Sequence, residues 1–182
     1  MLKKSLLLIS TSLSLNVANA TSSAYLGANV GFANIQDWWS GSIALSVNGG
    51  YNFNNYFATE AGLTWINPIN NSLSSPTPSQ YSSSQSFADI AAKGSVPLSD
   101  IFNLYIKAGL GLGYSSASSL SSGYNWNGAT ATFNPGIYMA LGGELNLGAG
   151  IHATFEDYGL YILSANNWGN INVFGVGLKY NF

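Results

Sequence analysis

Of the thirteen charged or imidazole side chains in this chain, seven stand at inward strand positions where they could do chemistry together: Glu60, Asp89, Lys93, Lys107, Glu144, His152 and Glu156. A lone histidine makes a base or a metal ligand only with companions. His152-Ala153-Thr154 offers one hydroxyl, and Glu156 follows two positions later. With no cysteine and no second histidine, no metal-ligand set is apparent, and no cofactor is expected. The catalytic reading of His152 is therefore the weaker one. The alternative is that all seven residues form a network of opposite charges that satisfy one another.

Whether they can meet depends on the elements that carry them. Apolar residues recur with a period of two along much of the chain, the mark of a β-strand with one greasy face. The alternation predicts eight strands, near 23–33, 42–53, 56–66, 86–96, 102–114, 131–145, 151–156 and 171–182. In the last of these, Phe174, Val176, Leu178, Tyr180 and Phe182 form an apolar and aromatic stripe. The connections alternate in length. Three short turns are expected near 54, 99 and 147, the first an Asn54-Asn55 pair suited to left-handed backbone. Four longer loops are expected at 34–41, 67–84, 115–129 and 157–170.

The charged positions fall on the other face. Glu60, Asp89, Lys93, Lys107, Glu144 and Glu156 all have the parity opposite to the greasy stripe of their strands. A charge turned toward lipid near mid-membrane costs roughly 2–4 kcal/mol, so this parity assigns the greasy face to lipid and the charged face to an interior. Buried charges need partners. Glu60, Lys93, Lys107 and Glu144 lie on neighbouring strands, close enough in order to interlock. An eight-stranded barrel is just wide enough for side chains to fill it. A polar plug is the first expectation, and a narrow gated pore the second.

Composition agrees with a membrane setting. The chain is 47% hydrophobic and only 7% charged, against about 25% charged in a typical soluble domain. No segment offers the ~20 apolar residues of a membrane-spanning helix. Residues 1–20 read as a cleaved signal peptide: basic Lys3-Lys4, an apolar run, then Ala18-Asn19-Ala20. The barrel domain is then 21–182, with three lysines against seven carboxylates and no arginine. A nucleic-acid partner is excluded by that balance. Turn-end aromatics (Tyr51, Phe53, Phe57, Tyr180, Phe182) read as a periplasmic girdle, and Trp65 as an anchor at the opposite interface. Trp38, Trp39, Tyr81, Tyr124, Trp126 and Trp168 are expected in or beside external loops, where Ser, Asn and Tyr make adaptable contact surfaces.

These features together resemble the OmpA-like family of eight-stranded outer-membrane barrels, which includes OmpX-type proteins. The segments carrying the resemblance are Tyr25–Gly31, Gly50–Phe53, Ala91–Leu98, Leu104–Gly109, Pro135–Glu144 and Tyr180–Phe182. The resemblance implies an all-β, antiparallel, up-and-down transmembrane β-barrel with three short periplasmic turns and four longer external loops. It implies a bacterial outer-membrane location and insertion by the barrel-assembly machinery, which recognises an aromatic C-terminal strand. Outer-membrane lipids and lipopolysaccharide would surround it, and a host or other surface ligand would be met through the loops. Inward acid–base pairs obstruct the lumen in OmpA-type barrels, and Glu60, Lys93, Lys107 and Glu144 match those positions in kind. His152 stands where an arginine is common, which implies a weaker, pH-dependent pairing there. The peptidoglycan-binding domain of full-length OmpA is not expected. A looser resemblance, to eight-stranded lipid A deacylases that use a serine, a histidine and an acid, fails at Thr154, where those enzymes would carry serine. A structural or surface-interaction role, not an enzyme, is the leading expectation.

Deleting Phe182 is expected to impair assembly more than the stability of barrels already inserted. Comparing the folded yield in outer membranes with the urea midpoint of the purified variant checks this, and equal losses in both would refute it.

Overall fold

The computed structural model describes residues 23–35, 38–67, 79–121, 130–163 and 170–182. The expected signal peptide therefore lies outside the described residues, as do Tyr124, Trp126 and Trp168. Eight antiparallel strands follow in chain order: β1 Ser23–Ile35, β2 Trp38–Asn52, β3 Phe57–Asn67, β4 Ser79–Pro97, β5 Phe102–Ser121, β6 Thr130–Gly148, β7 Ile151–Ile162 and β8 Ile171–Asn181. Each pairs with its neighbour, and β8 pairs with β1 to close the barrel. Closure matters because an open strand edge in lipid leaves backbone N–H and C=O groups without partners.

The register fixes the barrel's shape. Stepping from Ser23 through its successive partners Asn52, Ala58, Lys93, Lys107, Ala140, Tyr158 and Val173 returns to β1 at Ala33, ten residues from the start. Ten residues at ~3.3 Å, set against eight strand spacings of ~4.8 Å, give a strand tilt of about 40°. Alternation follows the expected parity. Leu26, Val30, Leu45, Ile90, Ile106, Leu110, Leu141 and Leu178 face outward, whereas Tyr25, Glu60, Lys93, Tyr105 and Lys107 are buried inside.

At the turn end, the structure corrects one detail of mechanism. Among the described residues, positive φ occurs only at Gly148, Ala149 and Gly150. The Asn54 turn is held instead by its side chain, whose Oδ1 accepts from the backbone N–H of Tyr56 and of Phe57, both at 2.8 Å. The third turn sits at Ala149–Gly150, just past the expected Asn146–Gly148.

At the opposite end the strands run on where long loops were expected. Trp38, Trp39 and Tyr81 lie in strands, with Trp38 paired to Ile35 and Tyr81 to Ser119. Segment 157–162 belongs to β7, and Ser115–Ser121 to β5. Where Ser79–Ser84 of β4 and Ser115–Ser121 of β5 run beyond the membrane, the strand has no lipid face, so it needs no apolar alternation. Its hydrogen-bond ladder continues through serine-rich sequence that reads as loop.

The extension of β7 adds Tyr158 and Leu160 to a second, apolar level in the lumen. Ala33, Ala44, Ile66, Phe87, Tyr138, Tyr158, Leu160, Ile171 and Val173 form a buried cluster. Phe87 lies 6.3 Å from the rings of both Tyr138 and Tyr158. Leu160, fully buried, occupies the space that glycine leaves at positions 111 and 136. Leu160→Ala should destabilise the barrel by about 2–5 kcal/mol, as expected where a cavity replaces a packed leucine. Urea unfolding of protein refolded into lipid vesicles measures this.

Candidate functional site

The barrel brings all seven charge-bearing candidates into its lumen: Glu60, Asp89, Lys93, Lys107, Glu144, His152 and Glu156 are each 91% or more buried. They gather mainly into two nodes of opposite design. In the first, one cation sits between two carboxylates: Lys107 Nζ lies 2.6 Å from Glu60 Oε1 and 2.5 Å from Glu156 Oε2. In the second, one carboxylate sits among cations: Glu144 lies 3.1 Å from Lys93 Nζ and 2.5 Å from Lys179 Nζ. His152 Nδ1 is 3.0 Å from the same carboxylate.

Tyrosines complete the first node. Tyr25 donates to Glu60 at 2.7 Å, Tyr105 to Glu156 at 2.7 Å and Tyr138 to Glu156 at 3.2 Å. Their rings need room, and glycine supplies it. A Cβ at Gly142 would come 2.5 Å from Tyr105 Cζ, and one at Gly50 would collide with the Tyr25 ring. The rings also bridge the nodes. Lys93 Nζ lies 4.0 Å from the centroid of Tyr105, and Lys179 Nζ lies 4.9 Å from that of Tyr25, within range for cation–π attraction. In the two nodes each charge therefore has at least one charged partner, to which every member but Glu144 adds a tyrosine hydroxyl or ring; Glu144 instead has a second lysine and His152. A buried ion pair needs that much if it is to offset desolvation.

His152 has no nucleophile beside it. Its Nε2 lies 2.8 Å from Asn181 Nδ2. Its Nδ1 faces Glu144 without forming an aligned hydrogen bond. The Thr154 hydroxyl donates away from the imidazole, to Asn29 Oδ1 at 2.9 Å. Among the described residues, no group of three or more His, Cys, Asp and Glu side chains is arranged to hold a metal ion.

Two residues depart from the simple network. Asp89, on β4, is buried, and its Oδ2 accepts no hydrogen bond. Asp157, expected in a loop, lies in β7 with the outward parity, exposed between Leu141 and Phe174. Sequence reasoning also left Lys179 and Tyr158 out of the site. Lys179 follows the same inward parity as its neighbours Gly175 and Gly177, and that parity was the available signal. Tyr158 carried no such signal once 157–170 was read as loop.

On the outer wall, Phe174, Val176, Leu178, Tyr180 and Phe182 are all exposed to the surroundings. Phe182 N–H donates to Ala24 O at 2.9 Å, stitching β8 to β1. Tyr51–Phe53 and Tyr180–Phe182 pair edge to face at 5.4 Å and 5.1 Å near the turn end. Trp65 stands exposed toward the other end.

A family model described as outer membrane protein beta-barrel domain matches residues 5–182. The chain belongs to that family. No curated protein matches it as a sequence relative. Solved outer-membrane barrels share its fold at low identity. Neisserial surface protein A is similar with a TM-score of 0.66 and 12% identity, over 88% of this chain and 97% of that one. Ail of Yersinia pestis, solved in complex with the heparin analogue sucrose octasulfate, gives 0.59 and 13%, over 88% and 97%. OprG of Pseudomonas aeruginosa gives 0.59 and 13%, over 90% and 96%. This outer-membrane barrel is thus an integral protein of the bacterial outer membrane, crossing it with strands.

Within the outer-membrane barrel, Lys107→Met would leave Glu60 and Glu156 buried without their cation. The expected loss is roughly 3–5 kcal/mol, the cost typical of breaking a buried pair. Lys93→Met should cost less, because Glu144 keeps Lys179. Urea midpoints of the two refolded variants give the comparison, and equal losses would contradict the asymmetry of the nodes.

Proposed function

We propose that the protein is a non-conducting outer-membrane barrel with a structural or surface-interaction role, acting through its external end, and that it is not an enzyme. The observation that carries this reading is the double filling of the lumen. The Lys107 and Glu144 nodes occupy one level, and the cluster around Phe87, Tyr138, Tyr158 and Leu160 occupies the next. An ion would have to break charge-assisted bonds at the first level and part close-packed apolar side chains at the second. Catalysis lacks support because Thr154 and His152 engage different partners.

The gated-pore reading has one observation in its favour. A polar cavity of about 360 Å³ opens at the turn end and reaches Lys93, Glu144, His152 and Lys179, so water meets the second node from the periplasmic side. The apolar level lies beyond it. Signal-peptide export, delivery by the barrel-assembly machinery and contact with lipopolysaccharide belong to the same proposal, resting on the sequence of residues 1–20 and the aromatic β8.

As for a ligand, the external connections carry no lysine or arginine at 36–37, 68–78, 122–129 or 164–169. The sulfated ligand in the Ail structure is thus a poor guide here. Serine, asparagine, glycine and aromatic residues suit a neutral polar surface, a polypeptide or an uncharged glycan.

Planar-bilayer recording of refolded protein should show no steady openings, and sizeable single-channel conductance would overturn the filled-lumen reading. Cells displaying the barrel should gain no affinity for heparin, measured by retention on heparin beads. Deleting residues 122–129 should reduce any measured adhesion without altering the heat-modifiable mobility of the folded barrel.

A further inference from the structure

Asp157 is the one charged side chain of the described strands that faces outward within the apolar wall. β7 begins at Ile151, so Asp157 lies six residues from the periplasmic end. At ~3.3 Å per residue and about 40° of tilt, that is about 15 Å along the membrane normal, near the middle of an apolar band ~25 Å tall. Its lateral neighbours are Leu141 and Phe174, 61% and 57% exposed. Phe155 lies below it and Tyr161 above it on the same strand, both exposed. No hydrogen bond or ion pair among the described residues reaches the carboxylate.

Among the described residues nothing is placed to neutralise it from outside. Lys93, Lys107 and Lys179 all point into the lumen, His152 does too, and the chain has no arginine. The described residues of a second copy would therefore bring no cation to the contact. Lipid ammonium groups lie at the membrane surfaces, on the order of 10 Å from mid-band. Beside the carboxylate the wall is prepared for close approach. Gly159 presents no side chain above it, the Phe155 ring already covers Gly143, and an apolar groove lined by Val30, Ala153, Phe155, Val176 and Leu178 runs below. Above it, Asn172 and Asn34, paired across β8 and β1, continue a polar line toward the outer surface.

We infer that the outer wall of β6–β8 around Asp157 is an intramembrane docking surface for a membrane-spanning segment of another protein that presents a lysine or arginine at mid-depth. Charge complementarity selects the cation, and depth selects a protein over a lipid headgroup. The apolar groove receives the segment's apolar side chains, and the missing side chain at Gly159 eases approach of its backbone. Association therefore removes a carboxylate from hydrocarbon, and the isolated barrel carries that unfavourable exposure alone.

Two measurements test this together. In the purified barrel refolded into lipid vesicles, Asp157→Leu should raise the folding equilibrium constant by about tenfold, because an uncompensated charge in hydrocarbon is removed. An unchanged or lowered constant would mean that the carboxylate is already solvated or used within the barrel, and would overturn the proposal. In native outer membranes, a photo-crosslinking residue replaces Leu141, or Ile90 on the opposite wall. The expected protein adduct forms at 141 and not at 90, disappears with Asp157→Asn, and maps to a membrane-spanning segment containing lysine or arginine. Asp157→Lys should abolish it, and converting that partner cation to aspartate should restore it. Adducts to lipid alone, to a second copy of this chain, or persisting in Asp157→Asn would each overturn the proposal. Heat-modifiable mobility verifies that every variant is folded.

Discussion

Closure of the backbone ladder by β8 on β1 is the constraint on which every other feature depends. With both edges removed, no peptide group faces hydrocarbon unpaired, and each residue is committed to one side of the wall. The ten-residue stagger then decides which residues share a level. It sets Lys93 beside Lys107 across β4 and β5, and these two cations cannot be each other's partners. Each turns to carboxylates on other strands, Lys107 to Glu60 and Glu156, Lys93 to Glu144. The pairing scheme is thus a consequence of register, and a one-residue slip in any hairpin would turn its charges into the bilayer.

The lumen is divided by chemistry along its axis. Toward the periplasm, charges, tyrosine hydroxyls and asparagines interlock. Toward the outside, rings and aliphatic side chains pack as they do in a soluble β-barrel. This division suits the surroundings. The charged level stays near a polar cavity that water reaches, while the apolar level supports strands that continue past the membrane, where lipid no longer holds the wall in shape. Asp89 lies between the two, buried and with one oxygen unpartnered.

Much of this was legible in the sequence. A period of two, with Glu60, Asp89, Lys93, Lys107, Glu144 and Glu156 all on one parity of their strands, requires a wall with lipid on one side and an interior on the other. Glu60, Lys93, Lys107 and Glu144 were identifiable as partners because they share that parity on consecutive strands. What escaped had a physical cause. In Tyr158–Ile162 both faces are apolar or aromatic, one toward lipid and one toward the upper core, and Asp157 before them puts a charge on the lipid face, so no polar–apolar alternation marks the strand. In Ser79–Ser84 and Ser115–Ser121 both faces are mostly serine, and the same signal is missing for the opposite reason. Periodicity detects a strand only where its two sides meet different environments.

Seven of the eight pairings join strands adjacent in sequence, and each can form as a hairpin or its neighbour. The eighth is different in kind, because Phe182 donates to Ala24 across nearly the whole length of the barrel domain. A contact so distant along the chain bears the full loop-closure entropy and cannot nucleate folding. Until it forms, both open edges repel hydrocarbon. Zipping in the sheet and entry into the bilayer therefore have to reach completion together, and the seam acts as the clock of biogenesis: a half-built cylinder has no resting place in the membrane.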